Sequence, residues 1–499
     1  METEATRSLL PLAAFLLPLA GAVLTLPLRK ISARVRDITL LALTALCASV
    51  AVWLAAHVAG GEVYETYLLQ LTPDIWMYLR VDALGALFGA TVAVLWMLAL
   101  VYSWGYMAEG HRLGRYYSFF MLSLAWTMGV AYSGNLLTFL IFYELFSILT
   151  YPLVVHEQTP EAMAAGTKYI IYILVGGSLV LLAIVLTYFA AGDQTLTTGG
   201  ILSADIGQQR LFAIFWCYIA GFGVKAALVP LHGWVPDAHP AAPAPFSAVL
   251  SGVMVAAGSF GIMRVLFQVF GVELLREMGV MSMVTILAGF TVLFAAVLAV
   301  NQDNLKRRLA YSTISQMAYV VLGVSLLGSD STIGAIIHVT NHAFMKGGLF
   351  LCAGLFIRRL GVHRVSQLDG AAKRMPVTAA GFAIAALGMI GTPPLSGFVS
   401  KWYLGLGMLE TGNPLLLVVL LGGALLAAIY LLPIVYRMYF REPVLTADDK
   451  VTTEGREAPA SMLVPLVIVT LLTIALGLGA SLPGMPVSLA RMAAETFFH

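Results

Sequence analysis

Long apolar stretches alternate with short polar segments along the whole chain, and this alternation predicts its secondary structure. An α-helix needs roughly 20 apolar residues to cross the hydrocarbon core of a bilayer. Membrane β-barrels show alternating segments of about ten residues instead, and the long continuous runs here are not of that kind. The pattern therefore predicts about fourteen transmembrane helices. They begin near Leu9, Ile38, Leu84, Tyr116, Asn135, Tyr169, Leu211, Phe246, Val280, Leu309, Thr332, Val377, Pro414 and Met462.

Basic residues are concentrated in every second loop, and this alternation tests the number of predicted helices. Lysine and arginine are enriched in cytoplasmic loops, so the pattern holds only if no helix has been missed or invented. It places both termini outside, and we expect a multi-pass protein of the cell inner (cytoplasmic) membrane. The clusters after odd-numbered helices are Arg29, Lys30, Arg34 and Arg36; Arg112 and Arg115; Lys306, Arg307 and Arg308; Arg358, Arg359, Arg364, Lys373 and Arg374; and Arg437, Arg441, Lys450 and Arg456.

The composition excludes a soluble protein. The chain has 499 residues, of which 60% are hydrophobic and 11% are charged, whereas a soluble globular protein carries about 25% charged residues. Its 28 basic and 26 acidic residues leave a net charge of +2, which provides no basic surface for nucleic acid. The 3 cysteines lack metal-binding spacing, and no nucleotide or cofactor motif occurs. We therefore expect neither a cofactor nor a metal site.

Ionisable residues inside the predicted helices are the candidates for function, because a charge at mid-bilayer costs roughly 2.5–3.5 kcal/mol on insertion scales. Glu144 lies in the middle of the fifth helix, Lys225 in the seventh, and Lys401 in the region of the twelfth. Glu144 alone could equally be a structural ion-pair partner that fixes the order of the helices. Lys225 lies too far from a helix end for its amine to reach the membrane surface comfortably.

The eleventh helix carries three titratable side chains in a row. His338, His342 and Lys346 recur at every fourth position, which places them on one helix face over roughly 12 Å. A single buried histidine is usually a packing residue, but such a stripe favours a functional role. His232 and His239 flank the proline-rich turn after the seventh helix, where gating and a plain loop role are equally supported.

Two predicted helices contain proline breaks beside a lysine. Pro230 follows Lys225, and Pro393 precedes Lys401. Proline removes a backbone hydrogen bond, and in lipid such a break is tolerated only where the backbone is buried in protein or lines a wet cavity. Broken helices at corresponding positions of two halves indicate an inverted-repeat transporter with its site at the midplane. Both prolines are therefore candidates for gating.

The types of these residues favour protons over metal cations. Burial and a nearby carboxylate act in opposite directions on the protonation of a lysine, so movement of Glu144 relative to Lys225 could load and unload the amine. Histidines titrate near neutral pH. Alkali cations prefer oxygen ligands, and the carboxylates inside the predicted helices are few. The sequence therefore predicts a proton relay rather than a dehydrated cation path.

Four stretches of the sequence together resemble one known family. They are AGFGVKAALVPLHGWVPDAHPAAPAPFSAVLSG, NLKRRLAYSTISQMAYVVLG, HVTNHAFMKGGLFLCAG and GTPPLSGFVSKW. In this order they are similar to the antiporter-like membrane subunits of respiratory complex I, Mrp-type multisubunit sodium/proton antiporters and membrane-bound hydrogenases. The resemblance covers about the third to the thirteenth helix. The stretch HPAAPAPFSAVLSGVM and a lysine rather than a glutamate at Lys401 resemble the D-type component of the Mrp antiporters and its hydrogenase counterparts.

This resemblance implies an all-α integral membrane fold with two inverted five-helix repeats, each containing a broken helix. It implies that Glu144 pairs with Lys225 and that the stripe of the eleventh helix is the central relay. Lys401 would then be the terminal site. The implied division of the chain is 1–110 for the first three helices, 111–272 for the first repeat (helices four to eight), 273–445 for the second repeat (helices nine to thirteen) and 446–499 for a cytoplasmic loop and the last helix.

The chain departs from the family at one position of its eighth helix. The family usually carries a lysine there, in a pattern like SGVMVKTG, whereas this chain reads SGVMVAAG with Ala256 at that place. Alanine cannot carry a proton. Either water and another side chain bridge the gap, or the path is interrupted at this point.

Three functions follow from these observations. We expect a proton-translocating subunit of a multisubunit cation (sodium)/proton antiporter, which moves protons by a Glu-Lys-His-Lys relay at mid-membrane. The alternative is a proton-pumping membrane subunit of a complex I-like NADH/quinone oxidoreductase or a membrane-bound hydrogenase. The third is a structural scaffold whose path is broken at Ala256. The chain itself would perform no bond chemistry, and its expected partners are sister antiporter-like and small membrane subunits in a lipid bilayer, without nucleic acid.

Overall fold

The computed structural model describes residues 5–28, 30–72, 75–442 and 457–498. The chain folds as a bundle of long helices with one small sheet at one end. Each predicted apolar run has a helical counterpart. Among the described residues, nine helices are long and apolar enough to cross a membrane. Several of the others are interrupted or carry polar side chains along one face.

The helices and strands are numbered in chain order. The first half contains β1 (Thr6–Arg7), α1 (Leu10–Leu28), α2 (Ala33–Val58), β2 (Tyr64–Thr72), β3 (Ile75–Val81), α3 (Ala83–Tyr106), α4 (Leu113–Ala131), α5 (Leu136–Leu149), α6 (Tyr151–Val154), α7 (Pro160–Ala191), α8 (Gln208–Lys225), α9 (Val235–Ala241), α10 (Ala244–Val249) and α11 (Ala256–Val265). The second half contains α12 (Val272–Met278), α13 (Met281–Val300), α14 (Leu305–Ser325), α15 (Ser329–Leu360), α16 (Ala371–Arg374), α17 (Pro376–Ile390), α18 (Ser396–Glu410), α19 (Pro414–Phe440), α20 (Ala460–Leu478) and α21 (Pro486–Phe498).

The two ends of the bundle differ in composition. The sheet and α21 lie at one end, which is called the hairpin side below. The loops with the basic clusters lie at the other end, called the basic side, because the long helices run alternately from one end to the other. The positive-inside rule predicts that the basic side faces the cytoplasm. This orientation stays a prediction.

The sheet on the hairpin side is a feature that the hydrophobic pattern did not predict. Strand β2 pairs parallel with β1 and antiparallel with β3, and Glu65 lies opposite Arg80 with an ion pair of 3.4 Å. The strands have 9 and 7 residues in β2 and β3, so a search for membrane-length apolar runs passes over them. The aromatic and threonine residues of β2 were the available signal.

The helices form two repeats of opposite orientation. The first consists of α4, α5, α7, the pair α8 and α9, and the α10–α11 stretch. The second consists of α13, α14, α15, the pair α17 and α18, and α19. Because α4 starts on the basic side and α13 on the hairpin side, the repeats are inverted, and each has its broken helix in fourth place. The predicted all-α membrane fold with two inverted repeats is confirmed.

The first break separates α8 from α9. Helix α8 ends at Lys225, and Pro230 lies in the non-helical link before α9. A broken helix leaves carbonyl groups without partners inside the helix. Here the indole N–H of Trp234 donates to the main-chain oxygen of Val224 at 2.8 Å. The link therefore folds back onto the end of α8 and satisfies one of its carbonyl groups.

The second break separates α17 from α18. Helix α17 ends at Ile390, α18 begins at Ser396, and Pro393 lies between them. Gly391 directly after α17 has a φ of 97°, a left-handed conformation that glycine adopts without a steric penalty. Both predicted proline breaks therefore interrupt their helices inside the bundle.

Two elements at the centre of the bundle are almost wholly buried. Helix α15 is buried without interruption from Ser331 to Phe356. The α10–α11 stretch is also buried, and π-helical turns at Leu250–Met254 and Leu266–Phe270 flank α11. Such π-turns are rare and often mark functional sites. Ala256 is the first residue of α11, shortly after the first π-turn.

Candidate functional site

Lys225 lies at the end of α8 with only 1% of its surface exposed. Its Nζ donates hydrogen bonds to Ser147 Oγ and to the Tyr169 hydroxyl group, both at 3.3 Å. The same nitrogen lies 4.2 Å from the ring centre of Phe146 and 5.9 Å from that of Trp234, and aromatic faces attract a cation electrostatically. Side chains of α5, α7 and the link after α8 therefore enclose the amine.

Glu144 is a half-buried residue of α5 that packs against α7. A Cβ atom on Gly177 would overlap the Glu144 carboxyl group, so this glycine provides the room for it. Glu144 Oε1 is buried without a hydrogen-bond partner. Ser147, one helical turn after Glu144 on α5, accepts a hydrogen bond from Lys225, but the described residues contain no hydrogen bond or ion pair between Glu144 and Lys225. The structure brings the two residues into one region without joining them.

Lys401 lies in the first turns of α18 and is buried. Its Nζ donates to the main-chain oxygens of Met389 and Ile390 at 2.8 and 2.9 Å. These are among the last carbonyl groups of α17, which lack partners in their own helix and form the negative end of its dipole. The ring centre of Tyr319 lies 5.5 Å from the same nitrogen. The lysine therefore satisfies the last two carbonyl groups of α17, while the amides of Gly391 and Thr392 satisfy those of Leu387 and Gly388.

His338 connects the stripe of α15 to the second broken helix. It is fully buried, and its Nδ1 lies 2.8 Å from Ser400 Oγ. Ser400 directly precedes Lys401 in α18. The ring centres of His338 and His342 are 6.1 Å apart. One end of the stripe thus lies beside the Lys401 site.

Lys346 connects the other end of the stripe to α14. It is fully buried, and its Nζ donates to the main-chain oxygen of Leu309 at 3.3 Å and to Ser312 Oγ. His342, one helical turn before it, is also fully buried. The predicted stripe is therefore continuous and inaccessible to solvent over its whole length.

His239 lies between the first break and the stripe. It is fully buried, and its Nε2 has no hydrogen-bond partner. Its ring centre is 6.3 Å from that of Trp234, the residue whose ring also faces Lys225. On its other side, its ring centre lies 5.5 Å from that of Phe350 on α15, one helical turn after Lys346. This histidine therefore joins the region of Lys225 to that of the stripe.

His232, the other histidine near Pro230, lies at the margin of the site. It is half-buried, and its ring centre lies 6.0 Å from that of Phe294 on α13. Its Nδ1 is buried without a hydrogen-bond partner. The structure thus separates the two histidines that the sequence left equivalent, and it places only His239 inside the row of titratable groups.

Lys306 is a buried residue that the sequence pattern did not single out. Only 6% of its surface is exposed, and its Nζ donates to the main-chain oxygen of Ala242, just after α9, at 2.6 Å. Its neighbour Arg307 stays near the surface, 3.3 Å from Asp237. Because both residues belong to one basic cluster of the sequence, nothing local indicated that one of them turns inward.

Arg264 on α11 also lies inside the bundle, in an ion pair with Asp82. Its Nη2 donates to Asp82 Oδ1 at 2.8 Å, and its Nη1 donates to Gln268 Oε1 at 2.9 Å. Asp82 lines a cavity of about 630 Å³ on the hairpin side, together with Arg80 and Glu495. This cavity shares no lining residue with the row of titratable groups, so it forms a separate feature.

Ala256 stands close to the first break. It is fully buried, and Gly258 two residues later packs against the backbone at Lys225 and Ala226, where a Cβ atom would overlap main-chain atoms. Helix α11 therefore passes directly beside the end of α8. A lysine at position 256, as the family usually has, would therefore extend its side chain from a point beside the end of α8.

The arrangement is suited to moving protons. Its members can bind and release protons and are held inside protein, away from lipid and bulk water. Among the described residues, no group of three or more histidine, cysteine, aspartate or glutamate side chains could hold a metal ion. In spatial order the row contains Glu144, Lys225, His239, Lys346, His342, His338 and Lys401.

The sequence and the fold match one family of membrane proteins. The family described as NADH:quinone oxidoreductase/Mrp antiporter, TM, matches residues 133–427. The chain belongs to this family. NADH-quinone oxidoreductase subunit N of Desulforudis audaxviator (strain MP104C) is 34% identical over 481 residues, which cover 94% of this chain and 95% of that protein. The family resemblance predicted from the sequence is thus confirmed, and the chain is a multi-pass integral membrane protein.

Two solved structures have the same fold over almost the whole chain. A chain of the membrane-bound sulfane sulfur reductase, an archaeal respiratory membrane complex, has a TM-score of 0.87 at 26% identity, with 98% of both chains covered. A chain of the Mrp complex from Dietzia sp. DQ12-45-1b has a TM-score of 0.86 at 23% identity, with the same coverage. Members of this family are thus subunits of multisubunit membrane complexes.

Proposed function

We propose that this chain conducts protons as a membrane subunit of a redox-driven complex of the complex I type. The observation that carries the proposal is the buried row from Glu144 to Lys401, which links the two broken helices through α15. Ionisable side chains inside a membrane are costly and mark ion or proton pathways by default. Lysine and histidine can hold and release a proton without any other chemistry.

The relatives support a redox complex better than the cation/proton antiporter that the sequence alone favoured. The relative at 34% identity is named as a subunit of an NADH-quinone oxidoreductase, and the similar structure at 26% identity comes from a respiratory complex. An Mrp-type antiporter subunit is the second candidate. It is supported by the fold of the Mrp complex and by lysine at position 401. Sodium transport belongs only to this second candidate.

In the first repeat, we assign to Glu144 the control of the charge on Lys225. The carboxyl group lies one helical turn from Ser147, which binds the amine, but is not itself bonded to the amine. Its approach would favour the ammonium form, and its retreat would favour the neutral amine. The hydroxyl groups of Ser147 and Tyr169 can both donate and accept hydrogen bonds. Ser147 now donates to the main-chain oxygen of Tyr143 and Tyr169 to that of Ser147, so either hydroxyl group would serve the neutral amine by rotating its O–H toward Nζ.

His239 is the bridge across the gap at Ala256. A proton that leaves Lys225 must reach α15 through another group, because alanine cannot carry it. His239 lies between Lys225 and Lys346 and has a buried nitrogen without a partner. We therefore assign to it the role that the resemblance gives to a lysine on the eighth helix. The buried Lys306 adds a second positive charge beside it.

In the second repeat, the stripe of α15 passes protons to the Lys401 site through His338 and Ser400. The two links that contain Pro230 and Pro393 interrupt their helices inside the bundle, unlike α19, which continues through Pro433. These links are therefore the segments whose movement would open or close the row at each end.

The proposal includes an assembly and an orientation. Sister antiporter-like and small membrane subunits would surround the chain in the cell inner membrane, with the basic side in the cytoplasm and both termini outside. The proposal also includes four segments: 1–110 with the first three helices, 111–272 and 273–445 with the two repeats, and 446–499 with the cytoplasmic loop and the last helix. Direction of transport would follow from the driving reaction of the partners.

Co-purification with a transport assay tests the function. The native complex is purified in mild detergent through a tag on this chain, and its vesicles are supplied with an electron donor in sodium-free buffer. We expect iron–sulfur partner subunits and donor-driven acidification of inverted vesicles. Small membrane partners alone, with a pH gradient that forms only when sodium is added, would contradict the redox proposal and support the antiporter.

The scaffold hypothesis makes a different prediction for position 256. If the path is interrupted there, Ala256→Lys should create transport in a complex that otherwise lacks it through this chain. If His239 already bridges the gap, the same change should leave donor-driven acidification within about twofold of the parent, a difference of less than about 0.4 kcal/mol. A clear gain of transport would therefore favour the scaffold.

A further inference from the structure

A small cavity on the hairpin side lies between the β2–β3 hairpin, the end of α7 and the start of α5. Its volume is about 220 Å³, which is smaller than the roughly 300–1,000 Å³ of pockets for drug-sized ligands. Within the described part of the chain, it shares no lining residue with the row of titratable groups or with the cavity at Asp82. It is lined by residues 192–195 and by the aromatic side chains of Tyr67, Trp76, Tyr78 and Tyr188.

Aromatic rings form much of the wall of this cavity. Tyr67 stacks on Tyr78 with ring centres 5.3 Å apart, and the ring of Trp76 is at 88° to that of Tyr67 at 5.8 Å. Tyr67 and Trp76 keep 44% and 41% of their surface exposed, so the cavity opens to the outside. The guanidinium group of Arg7 already lies 5.5 Å from the ring centre of Tyr67. Among the described residues, no cation lies over Trp76 or Tyr188, and these rings can therefore attract a further one.

Asp193 is the one charged side chain among the described lining residues. Its Oδ1 accepts from the backbone amides of Gln194 and Thr195 at 2.6 and 2.9 Å and from the Thr195 hydroxyl group. No described residue donates to its Oδ2, and the neighbouring Gln194 Oε1 is buried without a partner. An exposed aspartate is ionised at neutral pH. The cavity therefore offers one negative charge and two unused acceptor oxygens.

The main chain around the cavity is fixed by contacts between distant segments. Asn135 Nδ2 donates to the main-chain oxygen of Trp76 at 2.6 Å. The amide of Leu136 donates to the main-chain oxygen of Gln194 at 2.9 Å. These bonds join the hairpin, the start of α5 and the loop after α7. The rings and the carboxylate are thus positioned before a ligand binds, which lowers the cost of ordering them.

The cavity lies where an exposed apolar helix face ends. Leu182, Val185 and Phe189 of α7 are exposed, Phe189 to 82%, and their spacing places them on one side of the helix. Tyr188 lines the cavity, and α7 ends at Ala191. Tyrosine and tryptophan are enriched at the level of the lipid headgroups. A lipid whose acyl chains lie along α7 would therefore place its headgroup at the cavity.

We propose that this cavity binds the primary ammonium group of a phosphatidylethanolamine headgroup, with Asp193 and Gln194 as acceptors and the rings of Trp76 and Tyr188 beside it. An ammonium group has three N–H donors, which match the unused oxygens. An anionic headgroup would approach a carboxylate of like charge. A choline headgroup has no N–H and would leave both oxygens unpaired. The site goes beyond the proposed function, since it is separate from the row of titratable groups.

The test titrates the purified native complex in mild detergent with three lipids and measures their binding by native mass spectrometry. They are phosphatidylethanolamine, phosphatidylcholine and phosphatidylglycerol. We expect one phosphatidylethanolamine to bind at least about tenfold more tightly than either other lipid, because only its headgroup makes the charge-assisted hydrogen bonds. Equal affinity for phosphatidylcholine would overturn recognition by the two oxygens, and equal affinity for phosphatidylglycerol would overturn recognition of a cation.

A charge substitution assigns this lipid to the cavity. Asp193→Asn keeps an oxygen for the amides of Gln194 and Thr195 but removes the charge. We expect the affinity for phosphatidylethanolamine to fall at least about tenfold. Asp205→Asn is the matched control, because it removes the same charge from an exposed residue of the hairpin side that does not line the cavity. It should bind the lipid like the parent.

A ring substitution provides an independent variant. Trp76→Leu removes the indole, while the main-chain oxygen that holds Asn135 remains. We expect the affinity to fall about threefold, as for a cation–π contact at an exposed site. Trp53→Leu is the control, because Trp53 is also 41% exposed but does not line the cavity. If Asp193→Asn fails to assemble, Trp76→Leu decides. Unchanged affinity in either assembled cavity variant would overturn the site.

The source of the amine is decided by competition. O-phosphoethanolamine has the same headgroup without acyl chains, and we expect it to compete only at a concentration at least about 100-fold higher, since it lacks the apolar contact with α7. Competition at equal concentration would overturn a lipid ligand in favour of a soluble amine. A carbodiimide crosslink between Asp193 and a lysine of a partner subunit, in a complex that retains no phosphatidylethanolamine, would also overturn the proposal.

Discussion

The two broken helices hold their lysines by different groups. Lys225 is enclosed by side chains, with hydroxyl groups from Ser147 and Tyr169 at 3.3 Å and the ring of Phe146 at 4.2 Å. Lys401 is held mainly by the backbone, through two carbonyl oxygens at the end of α17 at 2.8 and 2.9 Å. The helix paths are related by inversion, but the chemistry around the amines is not.

The two breaks therefore differ in which protonation state of their lysine the surrounding groups can stabilise. Hydroxyl groups donate and accept hydrogen bonds, whereas carbonyl oxygens only accept them. The surroundings of Lys225 accept from a charged amine, and they can serve a neutral amine once the hydroxyl group of Ser147 or Tyr169 turns away from its main-chain acceptor. Those of Lys401 offer acceptors alone, at the negative end of a helix dipole. The first break is consequently the one that side-chain substitutions can tune, while the contacts of the second belong to the main chain.

The largest effect should come from removing either lysine. We expect Lys225→Ala and Lys401→Ala each to lower donor-driven acidification of inverted vesicles by at least about 100-fold, the lower range for a positioned proton-transfer group. Lys373→Ala is the control, because Lys373 is exposed and pairs with Glu442 on the surface. Substantial transport in either buried variant, in an assembled complex, would show that the two breaks are not both part of the path.

The next effect concerns the connection between the two breaks. His239→Gln keeps a polar side chain but cannot carry a proton, so we expect proton transport to fall about tenfold or more. Ala256→Lys in the same chain should restore part of it, since it returns a lysine to α11. His232→Gln, at the margin of the site, should stay within about twofold of the parent. Equal effects of the two glutamine variants would contradict the bridge.

A smaller effect should follow from changing the surroundings of Lys225. Removal of one hydroxyl group by Tyr169→Phe should lower transport about fivefold, since one hydrogen bond contributes about 1 kcal/mol. Tyr319→Phe is the counterpart at Lys401. It keeps the aromatic ring near the amine, and its hydroxyl group bonds to Leu420 instead. Transport in that variant should be unchanged, and an equal loss in both would remove the distinction between the breaks.

The smallest effect should be on stability at the first break. Gly177→Ala would press a methyl group into the Glu144 carboxyl group, and such overpacking costs about 1–3 kcal/mol. Thermal unfolding of the purified complex should show a lower midpoint. Gly289→Ala in the second repeat is the matched control, because the nearest atom to its Cβ would be at 3.7 Å. A midpoint no lower for Gly177→Ala than for Gly289→Ala would argue against tight packing of the carboxyl group.

Much of the fold could be read from the chain because its signals are local. The length of each apolar run and the basic clusters between runs are properties of neighbouring residues, and each predicted run has a helix in the structure. The β2–β3 hairpin was missed because its strands are too short for a membrane-length pattern. Helix α21 was missed because it lies beyond the last apolar run.

The candidate residues of the site could be named from the sequence, but their contacts could not. Lys346 was placed on a stripe by its spacing, yet its bond to Ser312 depends on how α14 packs against α15. Lys306 and Arg307 are adjacent in one basic cluster, and only packing turns the first inward. The two histidines near Pro230 were equivalent in the sequence, and burial separates them.

The sequence by itself determined that the chain is a membrane protein with two proline-broken helices and a few charges inside them. The length of an apolar run, the effect of a proline and the cost of a buried charge all depend on the residue itself and on its neighbours in the sequence. Only the tertiary structure decided which groups surround each charged side chain. Lys225 is held by residues 78 and 56 positions away in the chain, because helices distant in sequence become neighbours only when the bundle packs.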